Sequence, residues 1–248
     1  MGCVNTLKLI KVVVVDDSAL MRKIISDIIS SQDDLEVIAT AKNGQDLFLK
    51  LQKVKPDIIT LDVEMPIMDG ISTLREMKNL NIDIKVIVLS SASGSAASNT
   101  MNCLQAGAFD FVAKPSGAIS LDINKVAQEL ISKIRAADSS NKSSTQPLGE
   151  YNKTVEYRNF NKVDKNQRID AVVLGASTGG PKALYSVITK LPISLNVPVF
   201  VVQHMPVGFT KAFADRLNDN CVLTVVEAQE GMAIRSEERR VGKECPRG

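Results

Sequence analysis

Gly175-Ala-Ser-Thr-Gly-Gly-Pro-Lys-Ala-Leu184 lies between an apolar run, Asp170-Ala-Val-Val-Leu174, and a segment from Lys182 to Lys190 with helical spacing. The run predicts a buried strand, and Pro181 suits a first helical turn, where its missing N–H would have had no partner. A strand, a tight turn and a helix with Ser177 between glycines match G-x-S-x-G, the nucleophile elbow. Glycine lets backbone approach backbone there, which lifts the hydroxyl clear and leaves amide N–H groups and a helix N-terminus beside it. Such donors suit a developing oxyanion.

Serine needs a base, and the chain has one histidine. His204 ends Asn196-Val-Pro-Val-Phe-Val-Val-Gln-His204, a second apolar strand, so residues 170 to 204 form one strand–helix–strand unit. Parallel strands would bring Ser177 and His204 to the same carboxyl rim, the edge where open α/β sheets hold ligands. The competing reading is a phosphate or dinucleotide cradle. It is weakened because Ser177 takes the place of the second Rossmann glycine, and Gly180-Pro181-Lys182 replaces the Gly-Lys-Ser/Thr of a P-loop.

Upstream, strands are expected at Leu7–Val15, Leu35–Thr40, Asp57–Asp62, Val86–Ser90 and Phe109–Ala113, each followed by a helical segment, the last from about Ile123 to Arg135. Repeated β-α units of this kind predict a five-stranded, doubly wound parallel sheet. Its carboxyl rim would carry Asp16, Asp17, Asp62, Ser90 and Lys114. Three close carboxylates repel unless a cation neutralises them, and an all-oxygen set suits magnesium. An aspartate there, with a lysine and a hydroxyl nearby, is equipped to take a phosphoryl group.

VVVVDD, LDVEMPIMDG, VLSS and FVAKP within residues 7–136 resemble the response-regulator receiver domain. The resemblance implies that Asp62 accepts the phosphoryl group. It also implies that Asp16 and Asp17, with Asp62 and the Glu64 carbonyl, hold magnesium, that Ser90 and Lys114 sense the phosphoryl group, and that Phe111 is the switch aromatic. Residues 137–168, rich in Ser, Asn, Lys and Gln, read as a linker. Beyond it, GASTGGPKAL, VVQHMPVGFTKAFADRLN and VLTVVEAQEG resemble the catalytic domain of chemotaxis protein-glutamate methylesterases. That resemblance implies Ser177 as nucleophile, His204 as general base, the backbone near Thr178 in the oxyanion hole, and no cofactor for the ester chemistry. Its substrates would be glutamyl methyl esters, and also glutamines, on methylated chemoreceptors, with a chemotaxis histidine kinase as phosphodonor. Phe209, Phe213 and Leu217 follow His204 at helical spacing and read as core.

Residues 169–235 therefore read as an incomplete second doubly wound α/β domain, and 236–248 as a non-family tail, foreign sequence joined after a truncation. The family's orienting aspartate is expected beyond this chain; Asp170, Asp215 and Asp219 are poorly placed for the role. Low esterase activity is expected on that basis, and the alternative is a non-catalytic receiver switch whose output region only binds partners. A net charge of +2 over 248 residues excludes a strongly basic nucleic-acid surface. No apolar run is long enough to span a bilayer, so no direct membrane insertion is expected. Met1-Gly-Cys-Val-Asn-Thr6 matches an N-myristoylation pattern, a short motif that also arises by chance. Cys3, Cys103, Cys221 and Cys245 form no C-x-x-C pair, which fits a reduced, cytoplasmic setting.

Overall fold

A computed structural model describes residues 9–91, 94–114, 122–143, 169–206, 208–233 and 238–242. The N-terminal pattern, most of the expected linker and the last residues of the expected tail lie outside them.

The first unit alternates β1 (Ile10–Val15), α1 (Ala19–Ser30), β2 (Leu35–Ala41), α2 (Gly44–Leu51), β3 (Ile58–Asp62), α3 (Gly70–Asn79), β4 (Lys85–Ser90), α4 (Gly94–Ala106), β5 (Asp110–Ala113) and α5 (Asp122–Ser143). The strands are parallel in the order β2-β1-β3-β4-β5. Every residue of β3 is buried, and so are Val12 to Val15 of β1, because helices cover both faces of the sheet. Helix starts follow their capping residues: Ser18, Asn43 and Asp69 each accept a hydrogen bond from the backbone N–H three residues on. This doubly wound sheet is the one the alternation predicts.

Helix α5 runs past Ala136, into the stretch whose polar composition reads as linker from residue 137. Ala137 is fully buried in the apolar cluster beneath the sheet. The Ser139 and Ser140 hydroxyls donate to the Arg135 and Ala137 carbonyls, so these polar residues are satisfied on the helix itself.

The second unit contains β6 (Val172–Ala176), α6 (Gly180–Ile188), β7 (Val199–Gln203), α7 (Phe209–Asn218), β8 (Thr224–Glu227) and β9 (Glu238–Gly242). All four strands are parallel, in the order β6-β7-β9-β8. Strand β9 falls within residues 236–248, where a non-family tail of foreign sequence is expected from the change in composition; its backbone fills the place between β7 and β8. The pairing needs only peptide groups, which composition does not report. Phe209, Phe213 and Leu217 are buried, as their spacing predicts. They join Leu184, Ile188, Val199 and Val201 in one apolar cluster that continues without a break into Met101, Leu104 and Phe111 of the first unit. Strand β6 alternates in exposure, with Val173 66% exposed, so one of its faces stays open among the described residues.

Candidate functional site

Neighbouring strands β1 and β3 bring the acidic residues together as the rim argument requires. Asp16 follows β1 with no exposed surface, Asp62 ends β3 at 6% exposure, and Asp17 faces solvent. One oxygen from each of these three carboxylates lies within 4.8 Å of the others. Lys114, following β5, reaches Asp16 Oδ2 at 2.8 Å and Asp62 Oδ2 at 2.9 Å. Burial raises the pKa of the Asp62 carboxyl; Lys114 opposes this and the Asp16 charge adds to it. Burial pulls the Lys114 ammonium down, but its hydrogen bonds with Asp16 and Asp62 win and leave it raised. Two buried carboxylates thus share one ammonium, which leaves negative charge uncompensated. A divalent oxygen-seeking cation fits that donor set.

Beside it, Asp62, Glu64, Ser90 and Lys114 line a cavity of about 150 Å³. The exposed Glu64 belongs to this wall. Ser90 is fully buried, and its hydroxyl accepts from Thr100 Oγ1 at 2.6 Å and donates toward the Ser91 and Ala96 carbonyls, at 3.2 and 3.4 Å. It therefore sits in the cavity wall with its hydrogen bonds directed at α4 and at the Ser91 carbonyl. Thr100 is a partner that the strand-end reading does not supply, because it lies inside a helix. Phe111 is buried on β5; its ring centroid is 4.6 Å from that of Phe209, the first residue of α7.

The second rim holds Ser177 and His204. Strands β6 and β7 pair in register through Ala176 and Gln203, and the His204 N–H donates to the Ala176 carbonyl at 3.4 Å. The next residues, Ser177 and His204, accordingly leave neighbouring strands at the same edge. Both are exposed, Thr178 is half-buried, and among the described residues neither the Ser177 hydroxyl nor the His204 ring makes a hydrogen bond. The turn closes with the Gly180 N–H donating to the Ser177 carbonyl at 2.7 Å. Gly179 caps α6 at φ 72°, a left-handed conformation, and faces the Phe109 ring so closely that a Cβ would lie 3.3 Å from it.

Two residues here escape motif reading. Gln203 is 2% exposed, and its Nε2 donates to the Ser177 carbonyl at 3.1 Å and to the His204 carbonyl at 2.9 Å. Its signal is present in the sequence: a period of two puts Gln203 on the buried phase of β7 with Val199 and Val201. Asp110, on β5 of the first unit, accepts the Gly179 N–H at 2.6 Å through Oδ2, while Oδ1 faces Lys133 Nζ at 3.3 Å. No motif couples residues so far apart in the chain. Of the acids considered as orienting groups, Asp215 pairs with Lys211 at 2.9 Å on an exposed helix face, Asp219 caps the end of α7, and Asp170 precedes β6 at the opposite end of the strand from Ser177. Among the described residues, no carboxylate is hydrogen-bonded to the His204 imidazole.

The response regulator receiver domain family matches residues 12–123, and the CheB methylesterase family matches residues 172–242. That second match reaches past Arg235 and takes in β9. The chain is 56% identical over 227 residues to a protein-glutamate methylesterase/protein-glutamine glutaminase of Clostridium acetobutylicum, covering 91% of this chain and 64% of that protein. It is 46% identical over 230 residues to the protein of the same description in Bacillus subtilis, again 91% of this chain and 64% of that one. The chain thus spans a little under two thirds of these relatives. Among solved structures, the response regulator domain of Thermotoga maritima CheB is similar at 44% identity and a TM-score of 0.48, over 53% of this chain and 98% of that one. No helix among the described residues is long and apolar enough to cross a membrane.

Proposed function

We propose, for a chain that belongs to the response regulators joining a receiver to a CheB methylesterase domain, that it is a phosphorylation-controlled protein-glutamate methylesterase acting in the cytoplasm on methylated chemoreceptors. The observation that carries this reading is the register of β6 with β7, which sets Ser177 and His204 side by side at one rim.

In the ester chemistry, Ser177 Oγ attacks the glutamyl ester carbonyl as His204 takes the hydroxyl proton. The backbone N–H near Thr178 faces the developing oxyanion at the start of α6, while the Gly179 and Gly180 N–H groups are held by Asp110 and by the Ser177 carbonyl. His204 returns the proton to the leaving methanol oxygen; water then cleaves the glutamyl-enzyme, freeing Ser177 and a glutamate carboxylate. A glutamine side chain would follow the same route with ammonia leaving.

In the receiver, an Asp62 carboxylate oxygen attacks the phosphorus of a phosphohistidine on the partner kinase, and the acyl phosphate forms as the imidazole leaves. Asp16, Asp17 and Asp62 with the Glu64 carbonyl would hold magnesium, which supplies charge neutralisation to the phosphoryl oxygens when bound. Lys114 offsets charge on the same oxygens, and Ser90 turns its hydroxyl from α4 toward them. Phe111 connects this event to the output region through its contact with Phe209.

The test is methanol release from methylated receptor membranes by the full chain, with and without a small-molecule phosphodonor. Release that is low, as the lack of a carboxylate on the His204 ring among the described residues implies, but that phosphodonor increases, that Ser177→Ala abolishes and that Asp62→Ala makes unresponsive is the expected result. A second reading has its own support: the Ser177 and His204 side chains are not hydrogen-bonded to each other among the described residues, which suits a receiver switch whose output region binds partners without turnover. Under that reading Ser177→Ala changes nothing.

A further inference from the structure

The side chain of Gln203 occupies a position that neither the elbow motif nor the Ser–His pairing explains. It is the last residue of β7, it precedes His204, and it points inward at 2% exposure. Its carboxamide nitrogen spends both hydrogens on main-chain carbonyls, those of Ser177 and His204. One side chain therefore bridges the peptide groups of the nucleophile and the base across the rim.

The neighbouring glycine fits this arrangement. A Cβ on Gly180 would lie 2.0 Å from Gln203 Oε1 and 3.0 Å from its Cδ, so the turn is built to admit the carboxamide. Oε1 is buried without a hydrogen-bond partner among the described residues. A buried carbonyl left unpaired is unfavourable, which marks this orientation of the amide as one held by its donor side. The two acceptors also fix which end of the amide faces them, since an oxygen there would meet two carbonyl oxygens.

We infer that Gln203 is the positioning residue of the ester-cleaving site: its carboxamide clamps the Ser177 turn to the His204 backbone and so sets the spacing at which hydroxyl and imidazole meet. The catalytic consequence rests on the esterase reading; the clamp itself does not. Small displacements between reacting groups change rates strongly, so a clamp at this point acts on the chemical step and leaves receptor binding alone.

The experiment compares the full wild-type chain with Gln203→Met, which keeps the side chain's length and removes both hydrogen bonds. Three quantities are measured: the pH profile of Ser177 labelling by a fluorophosphonate, amide hydrogen exchange at Thr178, Gly179 and Gly180, and the ring signals of His204, the one histidine in the sequence. The expected result for Gln203→Met is labelling slowed at least about tenfold, faster exchange at those three amides and a shifted His204 ring signal. Labelling within about twofold of wild type, or unchanged exchange at the turn, overturns the inference whatever happens to the melting temperature. If wild-type Ser177 resists labelling, the esterase reading falls, and exchange and the ring signal alone decide the clamp. Should Gln203→Met fail to fold, Gln203→Asn, one methylene too short to span both carbonyls, is read in the same way.

Discussion

The Asp110 carboxylate of the receiver accepts the Gly179 backbone N–H of the output region at 2.6 Å, at the mouth of helix α6. A buried anion there meets the positive end of the helix and one of the turn's amides at once. Removing it by Asp110→Ala leaves that part-buried N–H without its acceptor, a loss of about 1 kcal/mol. Lys133 retains Glu129 at 2.8 Å and the Phe111 carbonyl, so the first unit keeps its own ion pair. The expected outcome is faster exchange of the Gly179 amide, with β1 to β4 unchanged in exchange.

Asp62 gives a pH dependence whose sign is fixed. Its folded-state pKa lies above the ordinary 3.8, first because of burial, so the folded chain keeps this proton to higher pH than the unfolded chain. The associated stability is full below 3.8 and is lost as pH rises through the folded value. Wild-type melting temperature should therefore fall across that window more than that of Asp62→Asn, in metal-free buffer. Magnesium at about a hundred times its dissociation constant should add about 2.7 kcal/mol to wild type and much less to the variant. Thermal melts across pH, with and without magnesium, check both statements.

Phe111 and Phe209 are tilted 33° with centroids 4.6 Å apart, close enough to couple directly. Phe209→Ala should lower stability by about 3–5 kcal/mol, because the ring is fully buried. In a double-mutant cycle with Leu at both positions, a coupling of about 0.5–1.5 kcal/mol is expected. Urea denaturation of the four chains measures it, and a coupling near zero would show that the two rings do not act as a pair.

Ile67 lies in the loop after β3 with φ 70° and 79% of its surface exposed. A β-branched residue in the left-handed region is strained, and almost no burial offsets that strain here. Asparagine tolerates this conformation, so Ile67→Asn should stabilise the chain by about 1 kcal/mol, read as a raised denaturation midpoint with an unchanged slope.

Strand ends were the most readable part of this chain. Asp16, Asp62 and Ser90 each close an apolar run of parallel-strand type, so hydropathy alone places them on one rim, and the same reasoning pairs Ser177 with His204. Residues whose partners come from other elements stayed hidden. Asp110 reads as an ordinary first residue of β5 until folding sets it against Gly179, and Thr100 reads as a helical residue until α4 sets it against Ser90. The path of α5 beyond Ala136 was hidden differently, because hydroxyls bonding back to their own helix look like linker composition in one dimension. Strand β9 depends on backbone pairing, to which composition is blind.

The apolar cluster that runs unbroken from α4 into α6 and α7 has a thermodynamic consequence. Hinging the halves apart wets Met101, Leu104 and Phe213 together, so the separated form carries an exposed greasy seam and hydrophobicity favours its reclosure. Under the proposed phosphorylation control, a stimulus at Asp62 would have to outweigh that pull, and a target that covers the seam would hold the halves open after the stimulus has gone.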